Sequence, residues 1–144
     1  MKSKIKTIVG LTVFFFFSLH SAKAQLFQTR SAIISEQGYG YTTGVTDDGT
    51  KYIRYDKEMN TKASGSYTQA KVIYFTKLDD GREICYMLKI LEPSSETNSN
   101  VAYYKSKYVE TAYMQWKDYE INVIYDIVVK DGICVITAWY DDKK

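Results

Sequence analysis

Histidine is almost missing from this 144-residue chain: the only one is His20, inside the first 24 residues, which read as a removable leader. Without imidazole beyond that point, Ser-His-Asp or Cys-His catalysis, proton shuttling and histidine-ligated zinc are excluded. Proline occurs once, at Pro93, and cysteine twice, at Cys85 and Cys134, with no Cys-x-x-Cys spacing. Gly-x-Ser-x-Gly, phosphate-loop and dinucleotide-binding patterns are all absent. Past the leader no apolar run approaches the roughly 20 residues that span a bilayer. The longest, 121–129, is broken by Asp126. Nor is one charge in excess, with 19 basic against 17 acidic side chains. Removing Lys2, Lys4, Lys6 and Lys23 with the leader leaves 15 against 17, a net charge of −2 where the whole chain has +2. A basic nucleic-acid-binding surface therefore has no support, and the expectation is no nucleic-acid partner.

The leader reading rests on a basic start (Lys2, Lys4, Lys6), a twelve-residue apolar stretch over 8–19 with Phe14 to Phe17 in its middle, and Ala22-Lys23-Ala24 at the cleavage position. Residues 1–24 are expected to be a cleaved signal peptide, leaving 25–144 as one mostly-β domain in the periplasm or outside the cell. No cysteine lies near the cleavage point, so a lipid anchor is not expected. The Lys-rich start, Phe-rich middle and Ala-Lys-Ala-Gln end resemble signal peptides of the Bacteroidetes, which implies a bacterial source.

What is abundant points to strands. All 14 tyrosines lie beyond the leader, among frequent Val, Ile and Thr. Residues 119–129 alternate Tyr119, Ile121, Val123, Tyr125, Ile127 and Val129 on one face, then meet Asp131-Gly132, a tight-turn dipeptide, so the chain turns back into 133–140. Asp48-Gly49 and Asp80-Gly81 predict two further hairpins, 39–45 with 51–55 and 71–78 with 83–91. With a strand over 26–35 and another within 101–115, seven or eight strands result. Segments 60–66 and 94–100 read as polar loops. Segment 99–116 is ambiguous: Tyr104, Tyr108, Ala112 and Trp116 fit a helix, while Tyr103, Val109 and Tyr113 favour the strand preferred here. The expected fold is all-β with room for one short helix around 99–116, an antiparallel β-sandwich or small barrel built from hairpins. The Val72-Ile73-Tyr74 and Val123-Ile124-Tyr125 runs, each seven residues ahead of an Asp-Gly glycine, fit either chance likeness of two hairpins or a duplicated unit.

A two-residue turn at Asp131-Gly132 pairs Val129 with Cys134, and one at Asp80-Gly81 pairs Thr76 with Cys85. Each cysteine then shares a face with its own Val-x-Tyr motif, and outside the cytoplasm a Cys85–Cys134 disulfide is expected. The same register sets Ile124 opposite Trp139 and Val128 opposite Val135 on the reverse side, which is too apolar to face water. Either a second layer covers it or it is a partner surface centred on Trp139. Trp116, with Tyr113 and nearby tyrosines, is a second candidate, an aromatic platform of the kind that stacks on sugars. The acidic pairs Asp47-Asp48, Asp79-Asp80 and Asp141-Asp142 belong to turns or the chain end and stay solvated, so no catalytic residue, metal ligand or cofactor is assigned. The leading expectation is a non-catalytic binding or interaction module whose partner is an unidentified protein or glycan of the cell envelope. Alternatives are a barrel enclosing a small ligand and, less favoured, a carboxylate-dependent glycoside-acting enzyme.

Overall fold

The computed structural model describes residues 25–142. The signal peptide expected over 1–24 lies outside the described residues. Eight strands form one antiparallel sheet: β1 (Tyr41–Val45), β2 (Lys51–Thr61), β3 (Gly65–Lys77), β4 (Glu83–Pro93), β5 (Val109–Ala112), β6 (Gln115–Asp118), β7 (Val123–Lys130) and β8 (Ile133–Tyr140). Their spatial order is β1-β2-β3-β4-β8-β7-β6-β5. Helix α1 (Arg30–Gln37) precedes the first four strands and α2 (Thr97–Lys107) the second four, entered through a 3-10 turn at Ser94–Glu96. A helix followed by a four-strand meander thus occurs twice, and the two units join where β4 pairs with β8.

The expected mostly-β, antiparallel, hairpin-built architecture is present, but neither as a sandwich nor as a barrel. The sheet stays open, with β1 and β5 as edges, and helices supply the second layer. Both edges are short, five and four residues, which limits the unpaired backbone they expose.

The turns explain the registers. Lys130 pairs with Ile133 across Asp131 and Gly132, whose φ values of 52° and 77° make the two-residue primed turn that follows strand twist. The other two turns are one residue longer. In 46–50 and 78–82 the closing residues pair through Thr46 N–H to Thr50 O (2.9 Å) and Leu78 N–H to Arg82 O (2.8 Å), with Gly49 and Gly81 left-handed. Each loop is Asp-Asp-Gly, and the second Asp accepts the amide of the residue after Gly, Asp48 from Thr50 and Asp80 from Arg82. The extra residue moves the register of the β3–β4 hairpin by one. Phe75, not Thr76, lies opposite Cys85, so Cys85 shares a face with Ile73 rather than with Val72 and Tyr74.

The Val-Ile-Tyr likeness consequently does not mark equivalent positions. In β3 it is Ile73 that points to the core, whereas in β7 it is Val123 and Tyr125. The repeat lies in the order of elements, not in that motif.

The expected strand over 26–35 is in fact α1. Thr29 caps it, its Oγ1 accepting the Ala32 amide, and Gly38 at φ 90° stops it by donating to Ile34 O. Those end signals outweigh the strand preference of Ile33 and Ile34. Segment 99–116 divides: α2 ends at Lys107, with Lys105 and Lys107 in its last turn, and β5 and β6 follow. The loop expected over 60–66 is mostly strand, because β2 and β3 pair out to Thr61 and Gly65. β7 begins only at Val123, after Asn122 at φ 58°.

The core lies between the helices and one face of the sheet. Ile53, Ile73, Phe75, Leu88, Ile90, Ile127, Ile136 and Ala138 fill it. Over the second half, Tyr104 of α2 sits 5.0 Å from Tyr125 and 5.7 Å from the stacked Trp116 ring, and Tyr108 stacks on Tyr125 at 4.9 Å. A polar tie sits beside it. Buried Glu92 accepts from Gln69 Nε2 (2.9 Å), Tyr67 Oη (3.2 Å) and Asn100 Nδ2, while Glu96 accepts from Ser64 and Thr61. Neutral donors thus satisfy Glu92 and pin the start of α2 to β3 and β4.

Cys85 and Cys134 are both buried free thiols, and the expected disulfide does not form. Cys134 lies opposite Glu92, seven residues along β4 from Cys85, a strand distance of about 23 Å. No bridge can span it. Burial pushes the Cys85 thiol up to about 12, outweighing the opposite effect of a hydrogen bond with the Met87 backbone. Titration with a thiol reagent should find neither cysteine in the native protein and both after unfolding in urea. A native protein two mass units lighter than the reduced chain would contradict this.

Candidate functional site

The helices cover one side of the sheet, and among the described residues no element covers the other. Pairing places a single row of side chains across it: Tyr52 opposite Tyr74, Tyr74 opposite Met87, Met87 opposite Trp139, Trp139 opposite Ile124, and Ile124 opposite Lys117. The row follows from strand alternation, since each of these residues neighbours a core residue in sequence. Tyr86, the extra residue of a bulge where Tyr74 and Phe75 pair with Met87 and Cys85, adds a third ring beside Tyr74. Below this row runs a more polar one, Arg54, Val72, Lys89, Thr137 and Asp126, and below that Leu91, Val135 and Val128 across β4, β8 and β7. Val128 is 50% exposed and Ile133 41%.

Gly44 extends the row to the sheet edge. A Cβ there would come within 2.2 Å of the Tyr52 ring, so only glycine lets that ring lie across β1. Tyr52 and Tyr74 rings stand 5.7 Å apart, and Lys89 Nζ lies 5.7 Å from the Tyr74 ring centre. Burial, and then the neighbouring Tyr52 and Tyr86 phenols, raise the Tyr74 hydroxyl above its ordinary value, so Tyr74 stays neutral. Lys89 has no carboxylate partner among the described residues. At the far end Lys117 is paired with Asp141 at 2.7 Å.

The residues singled out from sequence are not brought together. Trp139 is half-buried at the centre of the open face, as the hairpin register implied, with Ile124 and Met87 beside it. Trp116 is 1% exposed and packs in the core against Tyr104, so it offers no platform; its indole N–H makes no hydrogen bond within the described residues. Tyr113 is 90% exposed in the β5–β6 turn, whereas Trp116 is buried. Tyr52, Tyr74 and Met87 went unrecognised in sequence, because only cross-strand order reveals them as one row. Glu92 and Glu96 were also missed: their signal, two acids flanking the helix start, looks like an ordinary polar loop.

The acidic pairs do not converge. Asp48 is lowered first by its hydrogen bond from Thr46, and Asp80 by the Arg82 amide, so both stay ionised at exposed turn tips. Among the described residues no three His, Cys, Asp or Glu side chains group to hold a metal ion, and no helix is long and apolar enough to cross a membrane. No protein-family model, curated protein or solved structure matches the chain.

A core tryptophan and an open-face valine should respond differently to substitution. Trp116→Ala should cost about 4 kcal/mol in urea unfolding, as for a buried aromatic. Val128→Thr on the open face should change stability by no more than about 0.5 kcal/mol. Equal losses would mean that the open face is covered.

Proposed function

We propose that the protein is an exported, non-catalytic interaction module whose open sheet face docks a partner protein of the cell envelope. The observation that carries this reading is the uncovered row from Tyr52 to Ile124. Half-buried apolar rows left without a covering layer are characteristic of interfaces, and aromatic and Met side chains are the types enriched there. Its size suits a protein. Five strands from β2 to β7, at about 4.8 Å spacing and roughly 27 Å long, give about 650 Å² in flat projection. A standard interface takes about 800 Å² from each partner.

Lys89 sets the charge asked of a partner. Lys89 is flanked in register by Val72 and Thr137, near the middle of the face. Arg54, beyond Val72, is paired with Asp56 at 2.7 Å, and Asp126 lies in the same row beyond Thr137, so the face carries charges of both signs. A partner offering a carboxylate opposite Lys89 meets this face. A flat, filled surface also gives no enclosed volume of the kind a barrel ligand needs. Glycoside hydrolysis would require two facing carboxylates, and the acidic pairs instead sit in turns.

A photo-crosslinking residue placed at Val128 or Tyr86 in the full chain, expressed in its source cells, should trap one discrete protein. The same residue at exposed Tyr39, in the loop before β1, should not. The adduct should survive Lys89→Arg and be lost in Lys89→Glu. Equal trapping from Tyr39, an adduct of twice the chain mass, or trapping of glycan or lipid alone would overturn the proposal.

A further inference from the structure

On the helix side, at one end of the sheet, the first turn of α1, the start of β2 and the β3–β4 turn enclose a cleft of about 510 Å³. Four cations line it, Arg30, Lys51, Lys77 and Arg82, against one carboxylate, Glu83. Glu83 serves two of them at once, with Arg30 Nη1 3.2 Å from Oε2 and Lys51 Nζ 3.4 Å from Oε1. Burial would raise its carboxyl, but the hydrogen bonds from Arg30 and Lys51 outweigh that and hold it below its ordinary value. Arg82 is held by Asp80 on the rim, Nε to Oδ2 at 2.7 Å. Lys77 has no ion pair among the described residues. Even with Asp80 counted, four positive groups face two negative ones.

This concentration does not reflect a basic chain, since the sequence beyond the leader is slightly acidic. Register produces it. Lys51 opens β2 opposite Phe75, and Lys77 pairs with Glu83 just inside the turn. Arg30, the first residue of α1, lies with its guanidinium 5.7 Å from the Phe75 ring centre, which limits its freedom. The positive end of α1 faces the same space. Gathering like charges costs stability unless something negative joins them.

We propose that this cleft binds a phosphate monoester carried on a body of one or two sugar rings. The excess of two positive charges matches the dianion, and guanidinium groups match the tetrahedral oxyanion through paired N–H donors. The volume lies within the roughly 300–1,000 Å³ of small-molecule pockets, far more than a bare oxyanion fills. Ile34 offers an apolar wall for the body of the ester. The site is on the opposite side of the sheet from the docking face and does not depend on it.

Calorimetry of the purified protein at low salt, with glucose 6-phosphate as probe, should give saturable binding with Kd below about 1 mM. Glucose 6-sulfate, which carries a single charge, and inorganic phosphate should each bind about tenfold more weakly, and glucose not at all. Lys51→Gln combined with Lys77→Gln, both exposed positions, should leave the circular dichroism unchanged and weaken glucose 6-phosphate about tenfold or more. Absence of saturable binding, binding unchanged in that variant, or inorganic phosphate or the sulfate ester matching glucose 6-phosphate would each overturn the proposal.

Discussion

The structure turns on a mismatch between sheet and helices. Eight strands at about 4.8 Å spacing make a surface roughly 38 Å wide with two faces to satisfy. Two helices of eight and eleven residues are all that the described chain provides, and both lie on the same side. Everything buried gathers there: the aliphatic layer over the first half, the Tyr104–Trp116–Tyr125 stack over the second, and the Glu92 tie that fixes the start of α2. The other face keeps apolar residues because its central strands remain central, yet it has no layer of its own.

The β4–β8 pairing makes that face continuous. Each helix-and-meander unit alone would end in a strand edge at β4 or β8. Joined by seven register pairs from Met87 opposite Trp139 to Pro93 opposite Ile133, they form one surface, with Met87 and Trp139 at the seam. The same seam carries Leu88 opposite Ala138 and Ile90 opposite Ile136 into the core. Core stability and the shape of the open face therefore depend on the same pairing.

Much of this was legible from residue order. The Asp-Gly turns located three hairpins, and the β7–β8 register followed from Asp131-Gly132 alone, including Ile124 opposite Trp139 and Val129 opposite Cys134. The doubled aspartates in Asp47-Asp48-Gly49 and Asp79-Asp80-Gly81 carried the information for longer turns, and reading the second as a two-residue turn put Cys85 on the wrong face. Helix α1 was hidden because its ends, Thr29 and Gly38, matter more than its two adjacent isoleucines. Long-range order was not available at all. That β4 pairs with β8 is decided by tertiary packing, and with it the open sheet, the separation of the cysteines and the row of aromatics. The basic cleft escaped notice for the same reason, since its four cations are scattered from position 30 to position 82.

The central claim, that one sheet face carries the core while the other stands open, is tested most directly by hydroxyl-radical footprinting of the purified protein read by mass spectrometry. Trp139, Met87 and Tyr86 should be modified several-fold faster than Trp116, Tyr104 and Tyr125. Protection of Trp139 and Met87 equal to that of Trp116 would contradict the account.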